Sequence, residues 1–328
     1  MKKLAAKEVA ITNLQSDMKS TKEWISQTLK NIHKKMGIYH VNFACISDVK
    51  IIKQSELLNQ ITQRMRDDLR ENGIVYTDIQ WKQLCEILSK NQVAGFFKNF
   101  AFYNPKDDVM YLNEDIIRTH PEKMILICAH ELAEKLLTTY ISPTLETPIQ
   151  ATVKLYIEAK KTNNARKAYK LLNIYVDTVF RNVFKEGCCE AIALQTLRSM
   201  GYEVASWENE LQTGHSKCVG LLSCMDNARK SGELLKEDQM CQPYERRGTK
   251  AMYEMKLVKE ILRSSQIIKA VSYYLGYPLA KVVLEKYGIE GVKLAIEKNP
   301  PLKAQYFADS QAYQTELEII AKVTKERR

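Results

Sequence analysis

The stretch ICAHELAEKLL, residues 127–137, places a histidine and two glutamates inside an otherwise apolar run. On an α-helix, His130 and Glu134 lie one turn apart on the same face. Glu131 is rotated by about 100° from His130 but by only about 60° from Glu134, so all three side chains can line one groove. The spacing therefore predicts a helix that carries a functional site.

The residues before this helix predict a β-hairpin. The segment GFFKNFAFYNPKDDVMYLNED, residues 95–115, changes from aromatic residues to the turn composition NPKDD and then back to apolar residues. The sequence THPE at 119–122 matches the S/T-x-x-E capping box with a proline in the first turn, which predicts where the helix begins. The HELAE sequence should therefore lie about two turns into its helix.

Hydrophobic periodicity predicts that most of the remaining chain is helical. A strand is expected at 38–47 (IYHVNFACIS), where alternating and β-branched residues occur, whereas residues 202–250 have the least regular pattern. Helices are predicted at 1–36, 55–71, 78–88, 148–172 and 174–200, and from 251 onward with breaks at 274–278 (YLGYP) and 299–301 (NPP). This order of elements indicates an α+β fold that is predominantly α-helical.

The composition indicates a globular chain with free thiols. Of its 328 residues, 45% are hydrophobic, which is ample for a buried core. Lys7 and Glu8 interrupt the apolar run that a signal peptide would need, and no stretch approaches the roughly 18 apolar residues of a spanning helix. The eight cysteines are scattered, which favours the reduced state. We therefore expect a cytoplasmic protein with no membrane partner.

The net charge of +10 leaves a polyanionic partner as an alternative. Basic residues are concentrated at 1–40 and 151–185, which are both predicted to be largely helical. Such charge is usually a solvated helix face, but it is also the pattern of a nucleic-acid-binding surface. Nucleic-acid binding through these helices therefore remains an alternative function.

A separate cysteine-rich set offers an alternative zinc site. It consists of His215, Cys218, Cys224 and Cys241. Structural zinc sites normally use closely spaced ligand pairs, and only His215 and Cys218 have that spacing.

The HELAE segment and its context resemble the zincin metallopeptidases of the gluzincin type. Their active-site helix carries H-E-x-x-H, which corresponds to His130-Glu131-Leu-Ala-Glu134 here, and a second helix carries a segment of the form E-G-x-x-E, which corresponds to EGCCE at 186–190. The specific part of the resemblance covers residues 95–200, and PPLKAQYFADSQAY at 300–313 is similar to a C-terminal segment of some members. The resemblance implies a zincin-like fold in which a small β-sheet or hairpin precedes the active-site helix.

This resemblance implies a domain organisation for the whole chain. Residues 1–37 would form an N-terminal helical arm and residues 38–328 the zincin-like domain. Within that domain, 95–200 would be the motif core and 251–328 the helical C-terminal part.

The resemblance also implies a ligand set for one divalent metal. His130 and Glu186 would be ligands, and Glu131 would be the general base. Glu134 departs from the family pattern because it replaces a histidine, but a carboxylate can bind zinc at a similar distance and is taken as the remaining ligand. Glu190, one turn beyond Glu186, is the alternative ligand or a group that orients a ligand.

The implied metal is Zn²⁺, with Mn²⁺ or Fe²⁺ as alternatives because the ligand set is rich in oxygen. With one histidine and two glutamates the metal centre would be neutral, so it would activate water less strongly than the usual set of two histidines and one glutamate. The resemblance places Tyr274, with its neighbour Tyr273, as a donor to the oxyanion of the transition state, and packing in the core is the alternative use of the two tyrosines.

The expected function is metal-dependent hydrolysis of peptide bonds in a peptide or protein substrate. Two alternatives remain beside nucleic-acid binding. The chain could be a catalytically inactive zincin-like protein that acts as a binding module. The HELAE segment could also be an ordinary helix, in which Glu131 and Lys135 form a surface salt bridge and His130 is a satisfied, partly buried histidine.

Overall fold

The computed structural model forms two compact units. The first comprises Met1–Asp67, Val93–Tyr140 and Cys189–Glu208, and the second comprises Asp68–Gln92, Ile141–Cys188 and Asn209–Arg328. The residues that the structure describes are 18–39, 43–71, 75, 77–79, 81–82, 101–119, 123–138, 165–227, 229–230, 267–268 and 271–326.

The first unit combines helices with a small sheet. Its elements are α1 (Met18–Tyr39), β1 (Asp48–Ile52), α2 (Gln54–Glu71, to Asp67), β2 (Ala101–Asn104), β3 (Val109–Asn113), α3 (Glu114–Thr119) and α4 (Met124–Thr138). The described residues are mostly helical with one three-stranded sheet, so the expected α+β class with helix in excess is confirmed.

The sheet has the strand order β1-β3-β2. β1 runs parallel to β3 with Asp48 opposite Val109, and β2 runs antiparallel to β3 with Ala101 opposite Leu112. The predicted hairpin is confirmed for its described residues, with its turn at 105–108. Every residue of β3 is buried, as expected for the central strand.

The strand prediction for 38–47 is wrong. Tyr39 ends α1, residues 43–47 form no strand, and β1 begins only at Asp48. Phe43 and Ile46 are nevertheless buried, so the apolar alternation reflects a buried connection. The strand instead occupies the residues that can pair with β3.

Helix α4 begins at Met124, so HELAE lies about two turns into its helix as predicted. Thr119, the first residue of the predicted capping box, does not begin α4. It ends α3 instead, and its Oγ1 donates to the carbonyl of Asp115. Residues 120–122 lie outside the described residues. Helix α1 packs against α4. Its buried residues recur every three or four positions, at Ile25, Leu29, Ile32 and Met36.

The second unit is built from helices. Its elements are α5 (Ala165–Ser199, to Cys188), α6 (Ala205–Cys218, from Asn209), α7 (Ser272–Glu297), α8 (Ala304–Ala308) and α9 (Ser310–Glu326). The predicted separation of 148–172 from 174–200 is wrong for the described part, because α5 is continuous through Asn173. Asparagine is a weak helix former, which fits a break at Asn173. The helix continues because its apolar stripe does, with Tyr175, Val176 and Val179 all buried.

Two predictions of irregular structure also fail. Residues 205–227 are helical, including a 3₁₀ turn at Val219–Leu222, although 202–250 has an irregular sequence pattern. Helix α7 runs through the predicted break at 274–278, and its backbone leaves helical geometry only at Gly288, with φ 64° and ψ −165°. The predicted break at 299–301 is confirmed, since α7 ends at Glu297 and α8 begins at Ala304.

Several predictions lie outside the described residues: helix 1–17, most of 78–88, 148–164, and 231–266. Among the helices that the structure describes, none is both long enough and apolar enough to cross a membrane.

Candidate functional site

Helix α4 is buried on almost every side. Its less buried residues are Leu126, Ile127, His130, Glu134 and Thr138, which recur every three or four positions and form one stripe. His130 and Glu134 are the titratable members of this stripe. The HELAE helix therefore presents its histidine and second glutamate along its one partly accessible side.

His130 is paired with a carboxylate. Its Nδ1 lies 3.0 Å from Oε1 of Glu190, and the two side chains are 18% and 11% exposed. An ionised carboxylate can only accept, so Nδ1 carries the hydrogen and donates it to Glu190. The pair joins α4 to the part of α5 that belongs to the first unit.

The second oxygen of Glu190 is buried. Among the described residues, Oε2 of Glu190 has no hydrogen-bond partner. An unsatisfied buried oxygen is costly, and more so when it belongs to a charged group. Glu190 therefore has capacity for one more donor or cation beside His130.

Glu131 is buried, with 6% of its surface exposed. It lies off the accessible stripe of α4, next to the fully buried Cys128, whose pKa is raised first by burial and further by the Glu131 charge. Burial of a glutamate in a helix is unusual unless the group is paired or functional. The position is compatible with a protected general base.

The alternative of a surface salt bridge between Glu131 and Lys135 is wrong. Lys135 is only 8% exposed, and its Nζ donates to the carbonyl of Cys45 at 2.8 Å and to the carboxylate of Asp108. The ammonium also lies 5.8 Å from the ring centre of Tyr103. Lys135 therefore links α4 to the β2–β3 hairpin and is not a surface residue of the helix.

Asp108 is the centre of this connection. Its φ is +55°, and its backbone carbonyl accepts hydrogen bonds from both the amide and the hydroxyl of Ser47. Its carboxylate accepts from Lys135 and from the Tyr103 hydroxyl, the latter at 3.0 Å. Sequence reasoning missed this cluster, although an aspartate at the end of the NPKDD turn is a residue type that tolerates positive φ.

Burial raises the pKa of Tyr103 well above its usual value. The hydrogen bond to Asp108 and the negative charges of Asp108 and Glu134 add to the rise. Tyr103 is therefore a neutral phenol across the physiological range, and Glu134 is close enough to the hairpin to act on it electrostatically.

Glu186 belongs to the second unit. It lies one turn before Glu190 on the continuous helix α5, so both carboxylates are on the same face of that helix. The intervening Gly187 has a packing role: a Cβ there would lie 2.1 Å from the carbonyl carbon of Gly276. Conversely, a Cβ on Gly276 would lie 1.9 Å from the carbonyl oxygen of Val183. The glycine of the EGCCE segment therefore lets α5 and α7 touch backbone to backbone.

This contact brings together the segments that hold Glu186 and Tyr274, because these residues precede the two glycines by one and two positions. The Tyr274 hydroxyl donates to Oε1 of Glu210 at 3.1 Å, and its ring centre lies 4.1 Å from that of Tyr273. Burial raises the pKa of Tyr274, and the charge of Glu210 adds to the rise. Tyr274 is thus a protonated donor at neutral pH.

In the described part of the chain, no three His, Cys, Asp or Glu side chains form a group that could hold a metal ion. The described cysteines, which include Cys128, Cys188, Cys218 and Cys224, are free thiols. Cys241 of the alternative zinc set lies outside the described residues.

Comparison of the chain with protein-family models, with curated proteins and with solved structures found no match.

Proposed function

We propose that the chain is a metal-dependent peptidase in which His130 binds a divalent metal. The supporting observation is the hydrogen bond between Nδ1 of His130 and Glu190. Histidines that bind metals almost always donate their other ring N–H to a carboxylate, a carbonyl or water, which fixes the tautomer and the ring orientation. With Nδ1 occupied in this way, Nε2 is the nitrogen that keeps a lone pair for a metal.

The residue types that the proposal assigns to the metal suit a divalent cation. Glu134 shares its stripe of α4, and Glu186 shares a helix face with Glu190. One imidazole with two carboxylates is a ligand set that Zn²⁺ accepts and that Mn²⁺ and Fe²⁺ also favour. The buried Oε2 of Glu190 adds negative charge behind the imidazole. Glu190 therefore orients His130 in this proposal, and Glu134 and Glu186 complete the ligands.

A divalent metal, when bound, makes water a stronger acid and polarises a peptide carbonyl. The protein residues do the rest. Glu131, protected from solvent one residue after His130, takes the proton from the attacking water and later gives it to the leaving amine. Tyr274, a neutral phenol, is assigned as the donor that stabilises the oxyanion.

The first test is the metal content of the purified full-length protein, measured by mass spectrometry for the wild type and for Glu186→Ala. The proposal expects a near-stoichiometric divalent metal in the wild type and its loss in the variant. An equal, near-zero content in both would mean that the His130–Glu190 pair is only a structural clamp between two helices.

The metal measurement and a peptide-cleavage assay together distinguish metal binding from catalysis. A protein that holds the metal but cleaves no peptide in a mixed-peptide library would be the inactive, binding form of the scaffold. Cleavage that is lost on chelation and restored by Zn²⁺ or Mn²⁺ would support the peptidase. Cleavage that survives exhaustive chelation would contradict it.

A further inference from the structure

Helix α4 is held by polar contacts on two different sides. On one side, Nδ1 of His130 lies 3.0 Å from Oε1 of Glu190. Lys135 follows His130 by five positions, which places it about 140° further around the helix axis. Its Nζ donates to the carbonyl oxygen of Cys45 at 2.8 Å and to the carboxylate of Asp108. The two sets of contacts therefore hold the helix from roughly opposite sides.

The rest of the buried surface of α4 is almost entirely apolar. Apart from Glu131 and Lys135, its buried residues are Met124, Ile125, Cys128, Ala129, Leu132, Ala133, Leu136 and Leu137. Apolar burial stabilises the packed helix but is not directional, whereas hydrogen bonds between charged groups are short and geometrically specific. Buried polar groups fix the register of packed helices in some proteins. The rotation of α4 about its own axis is therefore a property that its polar contacts can determine.

The acceptor of Lys135 is itself held in place. The backbone carbonyl of Asp108 accepts from the amide of Ser47 at 3.1 Å and from its hydroxyl at 2.6 Å. The Asp108 carboxylate also accepts from the Tyr103 hydroxyl at 3.0 Å, and the Tyr103 ring centre lies 5.8 Å from Nζ of Lys135. Lys135 thus bonds to a carboxylate whose backbone and side chain both have further partners.

We propose that Lys135 is a positioning residue, and that its bond to Asp108 sets the rotation of α4 at which Nδ1 of His130 meets Glu190. The same contact orients Glu134, which shares the accessible stripe of α4 with His130. The effect on metal binding rests on the proposed function. The orientation of His130 in the metal-free protein does not.

The first test is Asp108→Asn in the metal-free, full-length protein. Asparagine keeps the shape of the side chain and tolerates a positive φ, but it removes the charge that strengthens the bond from Lys135. In protein labelled with ¹⁵N-histidine, NMR measures how fast the Nδ1 hydrogen of His130 exchanges with water, and His130→Asn identifies its resonance. This exchange should become about 5-fold faster, because a hydrogen bond in a less firmly held helix opens more often. An unchanged rate would overturn the proposal.

Two controls separate positioning from a general loss of stability. Asp107→Asn changes the neighbouring exposed residue of the same turn, whose carboxylate accepts from Asn104, and should leave the exchange at His130 unchanged. His33 is the reference within each sample, because its Nε2 lies 2.6 Å from the carbonyl oxygen of Phe43 and must carry the hydrogen of that bond. Equal acceleration at His33 and His130 would indicate general loosening and would overturn the proposal.

Two further variants grade the effect. Lys135→Met removes both donated hydrogen bonds and should accelerate the exchange at His130 more than Asp108→Asn does. Tyr103→Phe removes only one hydrogen bond to Asp108 and should accelerate it less. If the variants at Lys135 and Asp108 do not fold, Tyr103→Phe decides, and a wild-type rate in that variant would contradict the proposal.

The effect on the metal site is measured separately. Asp108→Asn should lower the Zn²⁺ affinity by up to about 10-fold, which is the smaller effect expected of a group that contacts a ligand directly. Competition with a chromophoric chelator measures this affinity, with Asp107→Asn as the control. Faster exchange at His130 with an unaltered Zn²⁺ affinity would overturn the role of Lys135 in the metal site. If the wild type binds no Zn²⁺, the peptidase proposal fails, and the exchange measurement still decides whether Lys135 positions His130.

Discussion

The surroundings of the partly buried His130 and the buried His215 differ. His130 donates to the carboxylate of Glu190 and lies on the accessible stripe of α4. His215 is 9% exposed, and its buried Nδ1 has no hydrogen-bond partner among the described residues. The Glu190 carboxylate favours a cation at the His130 ring, whereas burial is the main cause that lowers the pKa of His215 and favours its neutral ring.

The difference distinguishes a histidine that suits a metal site from a histidine that belongs to the buried interior. In the proposal, Glu190 holds Nδ1 of His130, and Nε2 is the nitrogen that binds the cation. The Nδ1 of His215 is instead buried, out of reach of solvent. The candidate metal ligand is therefore His130, and the alternative zinc set around His215 has no comparable support.

The largest expected effect is on catalysis near His130. Glu131→Gln keeps the shape of the side chain but removes the base, so peptide cleavage should fall by about 10²- to 10⁴-fold while metal content is unchanged. The matched control is Glu23→Gln, at an exposed position of α1. A Glu131→Gln protein with wild-type turnover would remove Glu131 from the mechanism.

The next effect is on metal affinity. Glu190→Gln keeps an oxygen that accepts the N–H of His130 but removes the negative charge behind the ring, and the Zn²⁺ affinity should drop by about 10- to 100-fold. Competition with a chromophoric chelator measures this change, again with Glu23→Gln beside it. An unaltered affinity would show that the pair holds helices together without tuning a ligand.

A third prediction concerns the close contact between Gly187 and Gly276 in the second unit. Gly187→Ala would force its Cβ against the backbone of Gly276, so the free energy of unfolding should fall by about 3 kcal/mol or more. Gly220→Ala is the control, since nothing lies within 4 Å of its Cβ position. Urea unfolding of both variants compares them, and similar losses would mean that the close approach of α5 and α7 is not required.

The smallest effect is the pH dependence of His215. Its folded-state pKa is lowered, chiefly by burial, so below an unfolded-state pKa of about 6.5 the unfolded chain binds the proton more readily. The stability contribution of the neutral ring is complete above this pH and is lost as the pH falls toward the folded-state pKa. His215→Gln should flatten the loss of stability between pH 7.5 and 5, as followed by urea unfolding. An unchanged slope would show that His215 does not drive it.

Local sequence signals predicted the elements that depend on neighbouring residues. The NPKDD turn and its apolar flanks placed the hairpin, and the 3.6-residue period placed α2 and the helix of HELAE. The same signals missed what depends on partners distant in the chain. The connection at 43–47 is buried without being a strand, because β1 forms where it can pair with β3.

The break predicted at YLGYP shows the same limit at a single residue. Proline and glycine in one segment normally end a helix, but here Gly276 packs backbone to backbone on α5, and α7 continues past Pro278 to Glu297. For the candidate site, the sequence supplied His130, Glu131 and Glu190 as chemistry. It could not supply the pairing of His130 with Glu190, which are 60 positions apart, or the burial of Lys135 against Asp108.

The most direct test of the central claim is the ¹⁵N spectrum of the histidine side chains during titration with Zn²⁺, with His130→Asn identifying the resonances of His130. The proposal predicts that Nε2 of His130 shifts on binding one equivalent while Nδ1 keeps its hydrogen and its bond to Glu190, and that His215 does not respond. Resonances of His130 that stay unchanged through the titration would contradict it.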